Sequence, residues 1–223
     1  MEMKVFGAIS ALLLTAGITF AVHSSAQIQD QNDIIRQLNS DDTEQRIEAF
    51  YQIKEKGLAR DNKELQTALL NLLDKENRLV DGALRESAQQ VGASARYGEG
   101  YSEYHAWLAE LVMSFADLND RRTLSILMHS SYHPTSRFIK KMFVSRAEQV
   151  VPILIELSHS DLSIRRAEAI ETLEFLLTDY RDKISDGTAK AVKQSLTERL
   201  SDSDPEIRLQ VEHSLQKLQR INR

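Results

Sequence analysis

Apolar residues recur at three- and four-residue spacing along most of this chain, the period of helices that bury one face. Ile28, Ile34, Ile35 and Leu38 mark a first helix over 27–38. Ala49, Phe50 and Ile53 mark its partner over 43–56, stopped by Gly57. Leu65, Ala68, Leu69, Leu72 and Leu73 stripe a helix over 62–73, followed by one over 76–91. Further pairs are predicted at 107–115 with 122–129, at 150–158 with 165–177, and at 188–200 with 206–221. A short inserted helix over 136–145 would bury Phe138, Met142 and Phe143. Three Pro and eight Gly, with no alternating β-branched runs, leave long helices and short turns. The fold predicted is all-α, with about five antiparallel helix pairs.

A frame of Asp with Arg four residues later recurs at Asp42/Arg46, Asp74/Arg78, Asp117/Arg121, Asp161/Arg165 and Asp204/Arg208. Successive Asp residues lie 32, 43, 44 and 43 positions apart, which is an internal repeat. An apolar residue sits four before each Asp: Leu38, Leu70, Met113, Leu157 and Leu200. The physical reading is helix, tight turn, helix. Asp at a helix start accepts the free backbone N–H groups and places negative charge at the positive end of the dipole. An Arg one turn later reaches the same edge. Pro205 falls at a first helical position, where its missing N–H costs nothing.

The frame resembles HEAT repeats, as in exported bacterial HEAT-repeat proteins. The best copies are Asp161 to Leu173 and Asp204 to Leu215, with that at Asp42 close behind. The resemblance implies an α-solenoid, a curved superhelix of stacked helix pairs over 27–223, with the ten Asp and Arg residues as a structural ladder. It also implies a concave surface, formed by the second helices, that suits binding more than catalysis. The copies at Asp74 and Asp117 depart from the pattern, since Asp81, Gly82 and Arg85 stand where apolar residues are expected.

The amino terminus reads differently. Lys4 precedes an uncharged run, Val5 to Val22, and small residues end at Ala26. This predicts a secretory signal over 1–26, cleaved after Ala26, and an exported protein, periplasmic or secreted. The run is 18 residues long, at the lower limit for a bilayer span, so an uncleaved membrane tether is the alternative. The chain carries no Cys, which excludes lipidation on Cys and disulfide support, so buried helix faces must supply stability.

Chemistry is harder to find. Tyr97, Tyr101, Tyr104 and Trp107 cluster around a Gly-rich connection over 92–102. They either staple this loop to the core or form a protein-binding hot spot. Arg137, Lys140 and Lys141 make a basic cluster, a solvated face or an anionic contact. His129 and His133 have zinc-compatible spacing, but Pro134 and a fading helix favour a helix end. His105 and His159 stand beside predicted turns and carry no pattern. No His is followed by Glu, so the His-Glu pairs of di-iron HEAT enzymes have no counterpart, and bilin lyases are matched by the repeat alone. A formal net charge of −5 argues against nucleic acid. The expectation is a non-catalytic protein-interaction scaffold without cofactor or metal. The rivals are a tethered envelope protein and a HEAT-type lyase or ligand carrier.

Overall fold

A computed structural model describes residues 30–91, 103–130 and 137–221, with side chains over 30–86, 104–130 and 146–220. The signal over 1–26, the 92–102 connection with Tyr97 and Tyr101, His133, and the side chains of Arg137, Phe138, Lys140, Lys141, Met142 and Phe143 lie outside them. Among the described residues all regular structure is helical. In chain order the helices are α1 (30–38), α2 (Thr43–Lys56), α3 (Lys63–Val91), α4 (Glu103–Phe115), α5 (Arg121–His129), α6 (Arg137–Leu157), α7 (Ser163–Asp179), α8 (Asp186–Glu198) and α9 (Pro205–Ile221). Single 3₁₀ turns cover Arg181–Lys183 and Arg199–Ser201.

The helix ends follow local chemistry. Asp42 caps α2 by accepting the Glu44 N–H, and Gly57 closes it at φ 63°, a left-handed geometry that suits a residue without Cβ. Asn62 accepts from the Glu64 and Leu65 N–H groups at the start of α3. Ser185 caps α8, and α9 begins at Pro205.

The chain divides into two compact units, up to Leu69 and from Leu70, with the boundary inside α3. The first unit buries Ile34, Leu38, Phe50, Ile53, Leu65 and Leu69, together with the long side chain of Arg46. In the second unit α7 packs against α6, α8 and α9, α5 packs on α6, and α8 also packs on α6 and α9. Accordingly α7 buries Arg165, Arg166, Glu168, Ala169, Ile170, Thr172, Leu173, Leu176 and Leu177.

Two expectations are corrected. The predicted break at Asp74 does not exist, because α3 runs unbroken from Lys63 to Val91. No Pro or Gly interrupts residues 70–78, and the buried stripe Leu65, Leu69, Leu72, Leu73, Asn77, Val80 and Leu84 keeps helical register throughout. Asp74 and Arg78 form an i,i+4 ion pair within that helix. The cap of α5 is Asp120, not Asp117: Asp120 accepts from the Thr123 N–H at 2.8 Å and hydroxyl at 2.6 Å. Asp117 instead accepts from the Asn119 N–H within the preceding turn. The predicted short helix before Arg146 and the helix after it are both present: they are run together as α6, but Arg146, with φ −147° and ψ 31°, leaves the helical region and separates them at a kink.

Candidate functional site

The recurrent turn is present at three places, at Arg46 and Arg208 in the register read along the sequence and at Arg166 one residue later. Arg46 Nη1 donates to the carbonyls of Ser40 and Asp41 at 3.0 and 2.8 Å. Arg166 Nη1 donates to those of Ser160 and Asp161 at 2.9 and 3.1 Å. Arg208 Nη1 donates to those of Asp202 and Ser203 at 2.6 and 3.1 Å. In each case the carbonyls lie six and five residues back. In each the residue at the helix start (Asp42, Leu162, Asp204) donates its N–H to the side chain two before it, Ser40, Ser160 or Asp202. The guanidinium thus satisfies turn carbonyls that a helix start would otherwise turn toward solvent.

The fourth copy therefore lies one residue later than the Asp161/Arg165 frame predicts. The arginine equivalent to Arg46 is Arg166, and Leu162 occupies the cap position without a side-chain bond. Asp161 and Arg165, released from the turn, bond elsewhere. Asp161 is held by Arg85 through Nε at 2.7 Å and Nη2 at 3.2 Å. Arg165 donates from Nε and Nη2 to one oxygen of Asp81 at 3.0 and 2.7 Å, with Glu168 at 3.5 Å. The charged residues that looked like faults in the second copy, Asp81 and Arg85, are the partners of the fourth. Of the five Asp/Arg pairs, Asp74/Arg78 joins its own two members. Arg121 pairs with Glu156 at 3.7 Å on the surface.

Arg165 leads into a buried polar network. The Arg165 side chain is 2% exposed, that of Glu168 10% and that of Asp81 17%. Beside them His105, on α4, bonds through Nε2 to Asn77 Oδ1 at 2.8 Å. Asn77 Nδ2 donates to the Ile126 carbonyl at 2.9 Å, which fixes the amide so that Oδ1 accepts. His105 therefore carries its proton on Nε2. Ser130, at the end of α5, also reaches Asn77 Oδ1, at 3.0 Å. Burial, reinforced by the Arg165 charge and opposed by Asp81, pushes His105 down to about 4. Sequence reasoning gave His105 no role. Its signal was available, since it shares a helix face with Tyr104, Leu108 and Val112, all buried.

A second ionic site joins successive turns. Arg166 clamps Asp202 with Nε and Nη2, both at 3.0 Å, while Arg199 adds a contact at 3.6 Å. Burial opposes the Asp202 carboxylate, yet the Asp204 backbone N–H, Arg166 and Arg199 hold it below the usual carboxylate range.

The aromatic cluster is split. Tyr104 is a core residue, 8% exposed, and Trp107 is half-buried. His129 Nδ1 bonds the Ser125 carbonyl at 2.8 Å, at the helix end where the sequence placed it. Ser158, His159 and Glu198 imitate a catalytic triad, with 3.2 and 3.8 Å separations. The chemistry fails, because His159 Nδ1 bonds the Ile155 carbonyl at 2.8 Å and so carries a proton. It cannot accept the proton of Ser158, which is fully buried and donates to the same carbonyl. Among the described residues no group of three His, Asp or Glu is arranged to hold a metal, and no helix is long and apolar enough to cross a membrane. No family model, curated protein or solved structure matches the chain.

Proposed function

We propose that this chain is a non-catalytic helical-repeat scaffold of the HEAT-like kind, exported after loss of residues 1–26, that binds a protein partner. The observation that carries this reading is the recurrent Arg turn at Arg46, Arg166 and Arg208, one construction used three times. The adjacency of helices two apart, α6 with α8 and α7 with α9, supports it further. Stacked helix pairs bring first helices together and second helices together in this way. Such stacks offer an extended surface of low chemical demand, and partner binding is its ordinary use.

The contact residues we propose are Tyr97 and Tyr101, in the Gly-rich connection, and the basic residues Arg137, Lys140 and Lys141. Tyr104 leaves the candidate surface because it is buried. Trp107 is half-buried, so exchanging it perturbs packing as well as surface. Leu79 and Leu209, 50% and 53% exposed, are further apolar contacts on α3 and α9.

The test is capture from native envelope extract with residues 27–223 as bait, beside a variant carrying Tyr101→Ser with Arg137, Lys140 and Lys141 each changed to Glu. A protein held by the parent and lost by the folded variant supports scaffold and surface together. No specific protein held by either bait overturns the reading. Intact mass of the protein from its own cells tests export: a chain beginning at Gln27 supports it, and one retaining residues 1–26 contradicts cleavage.

A further inference from the structure

The His105 node has a consequence separate from partner binding. One amide, Asn77, joins three helices: α3 carries it, α4 reaches it through His105, and α5 meets it through Ser130 and the Ile126 carbonyl. We propose that this node is an acid-released latch, holding α4 on α3 and α5 while His105 is neutral and letting α4 go when the ring is protonated.

His105 is 2% exposed, so a proton taken up in the closed state creates a buried imidazolium. From α7 the nearby charge is Arg165, itself buried, with Glu168 behind it. From α3 it is Asp81, already engaged by two Arg165 nitrogens on one oxygen. From α5 the groups facing the node are the Ser130 hydroxyl and the Ile126 carbonyl. A protonated ring would place a second cation beside Arg165, with Asp81 already engaged by that arginine. The bond to Asn77 is not what fails, since a protonated ring still donates from Nε2. What drives release is hydration of the new charge, and that requires α4 to move.

The sign follows from burial. The ring titrates near 6.5 when open and at about 4 when closed, so the open state binds more protons between those values. Local opening therefore becomes about tenfold more populated for each pH unit below 6.5, until the closed ring itself titrates.

The molecule carries its own reporter, because its single tryptophan, Trp107, stands two residues after His105 on the same helix. The experiment follows Trp107 emission of the full chain with falling pH, beside His105→Gln, whose amide can donate to Asn77 but takes no proton. The expected result is a red shift in the parent between pH 6.5 and 4, displaced at least about one pH unit lower in the variant. The same shift at the same pH in both, or no shift in the parent above pH 4, overturns the proposal. Should His105→Gln not fold, amide exchange of the parent replaces it, measured at about pH 7 and pH 4.5. Protection falling at least about tenfold in α4 but not in α7 supports the latch. Uniform or absent loss overturns it.

Discussion

The turns at 40–46 and 160–166 share one backbone device and use it differently. In both, a serine hydroxyl accepts the N–H of the helix-start residue and an arginine closes on the carbonyls five and six residues behind it. At the first turn Asp42 caps the helix, and Arg46 adds a bond to Thr43 within the same turn. At the second, Leu162 replaces the capping side chain and packs with Val80 and Leu84. Its charged neighbours reach outward, Asp161 to Arg85 and Arg166 to Asp202. One is a turn that closes on itself. The other gives up a cap to become a junction between helices. An acid cap of this kind contributes roughly 1 kcal/mol, whereas a buried hydrogen-bonded ion pair loses about 3–5 kcal/mol when one partner is removed.

That contrast orders the expected outcomes. Asp202→Asn should cost the most, about 3 kcal/mol in urea unfolding, because Arg166 and Arg199 lose the charge between them. Equal stability of parent and variant would remove the junction from the account. Next comes acid. Because His105 is pushed down to about 4, its neutral form contributes stability that is complete above 6.5 and lost as pH falls toward 4. The loss should reach about 3 kcal/mol, read as a difference between parent and His105→Gln unfolding at about pH 7 and pH 4.

Arg46→Lys sharpens the comparison from the other side. Lysine keeps the charge but lacks the planar fork that reaches Ser40, Asp41 and Thr43 at once, so about 1–2 kcal/mol should be lost. Asp42→Ala should cost about 1 kcal/mol, the ordinary worth of a cap. Asp161→Asn should cost least, about 1 kcal/mol or below. Its partner Arg85 and its own side chain are 47% and 65% exposed, and added salt should erase the difference. Arg85 holds the Asp161 carboxyl below its usual range, so even this contribution persists above that range and fades as pH falls through it.

How far the sequence carried depends on what each residue answers to. Helix α2 was legible to its ends because Asp42 and Gly57 act on their own backbone. The start of α9 was legible for the same reason, at Pro205. The false break at Asp74 arose because an Asp–Arg pair at i,i+4 is equally good inside a helix as at a turn, and spacing cannot separate the two. At the fourth copy two adjacent arginines offered two registers, and the matching Asp favoured the wrong one. Arg166 is identified by carbonyls that exist once the turn has formed, not by a neighbour in the chain. Asp81 and Arg85 were visible as charges at positions expected to be apolar. Their partners stand 84 and 76 residues away, a distance that no local pattern spans. The His105 node was hidden for the same reason, since Asn77 and Ser130 belong to other helices.

The claim on which most rests is that successive turns of the second unit are linked, Arg166 to Asp202, as stacked repeats require. A double-mutant cycle with Arg166→Gln and Asp202→Asn, read by urea unfolding, tests it most directly. The expected coupling is at least about 2 kcal/mol, the double variant being little worse than either single one. Losses that simply add, with coupling below about 0.5 kcal/mol, would contradict it.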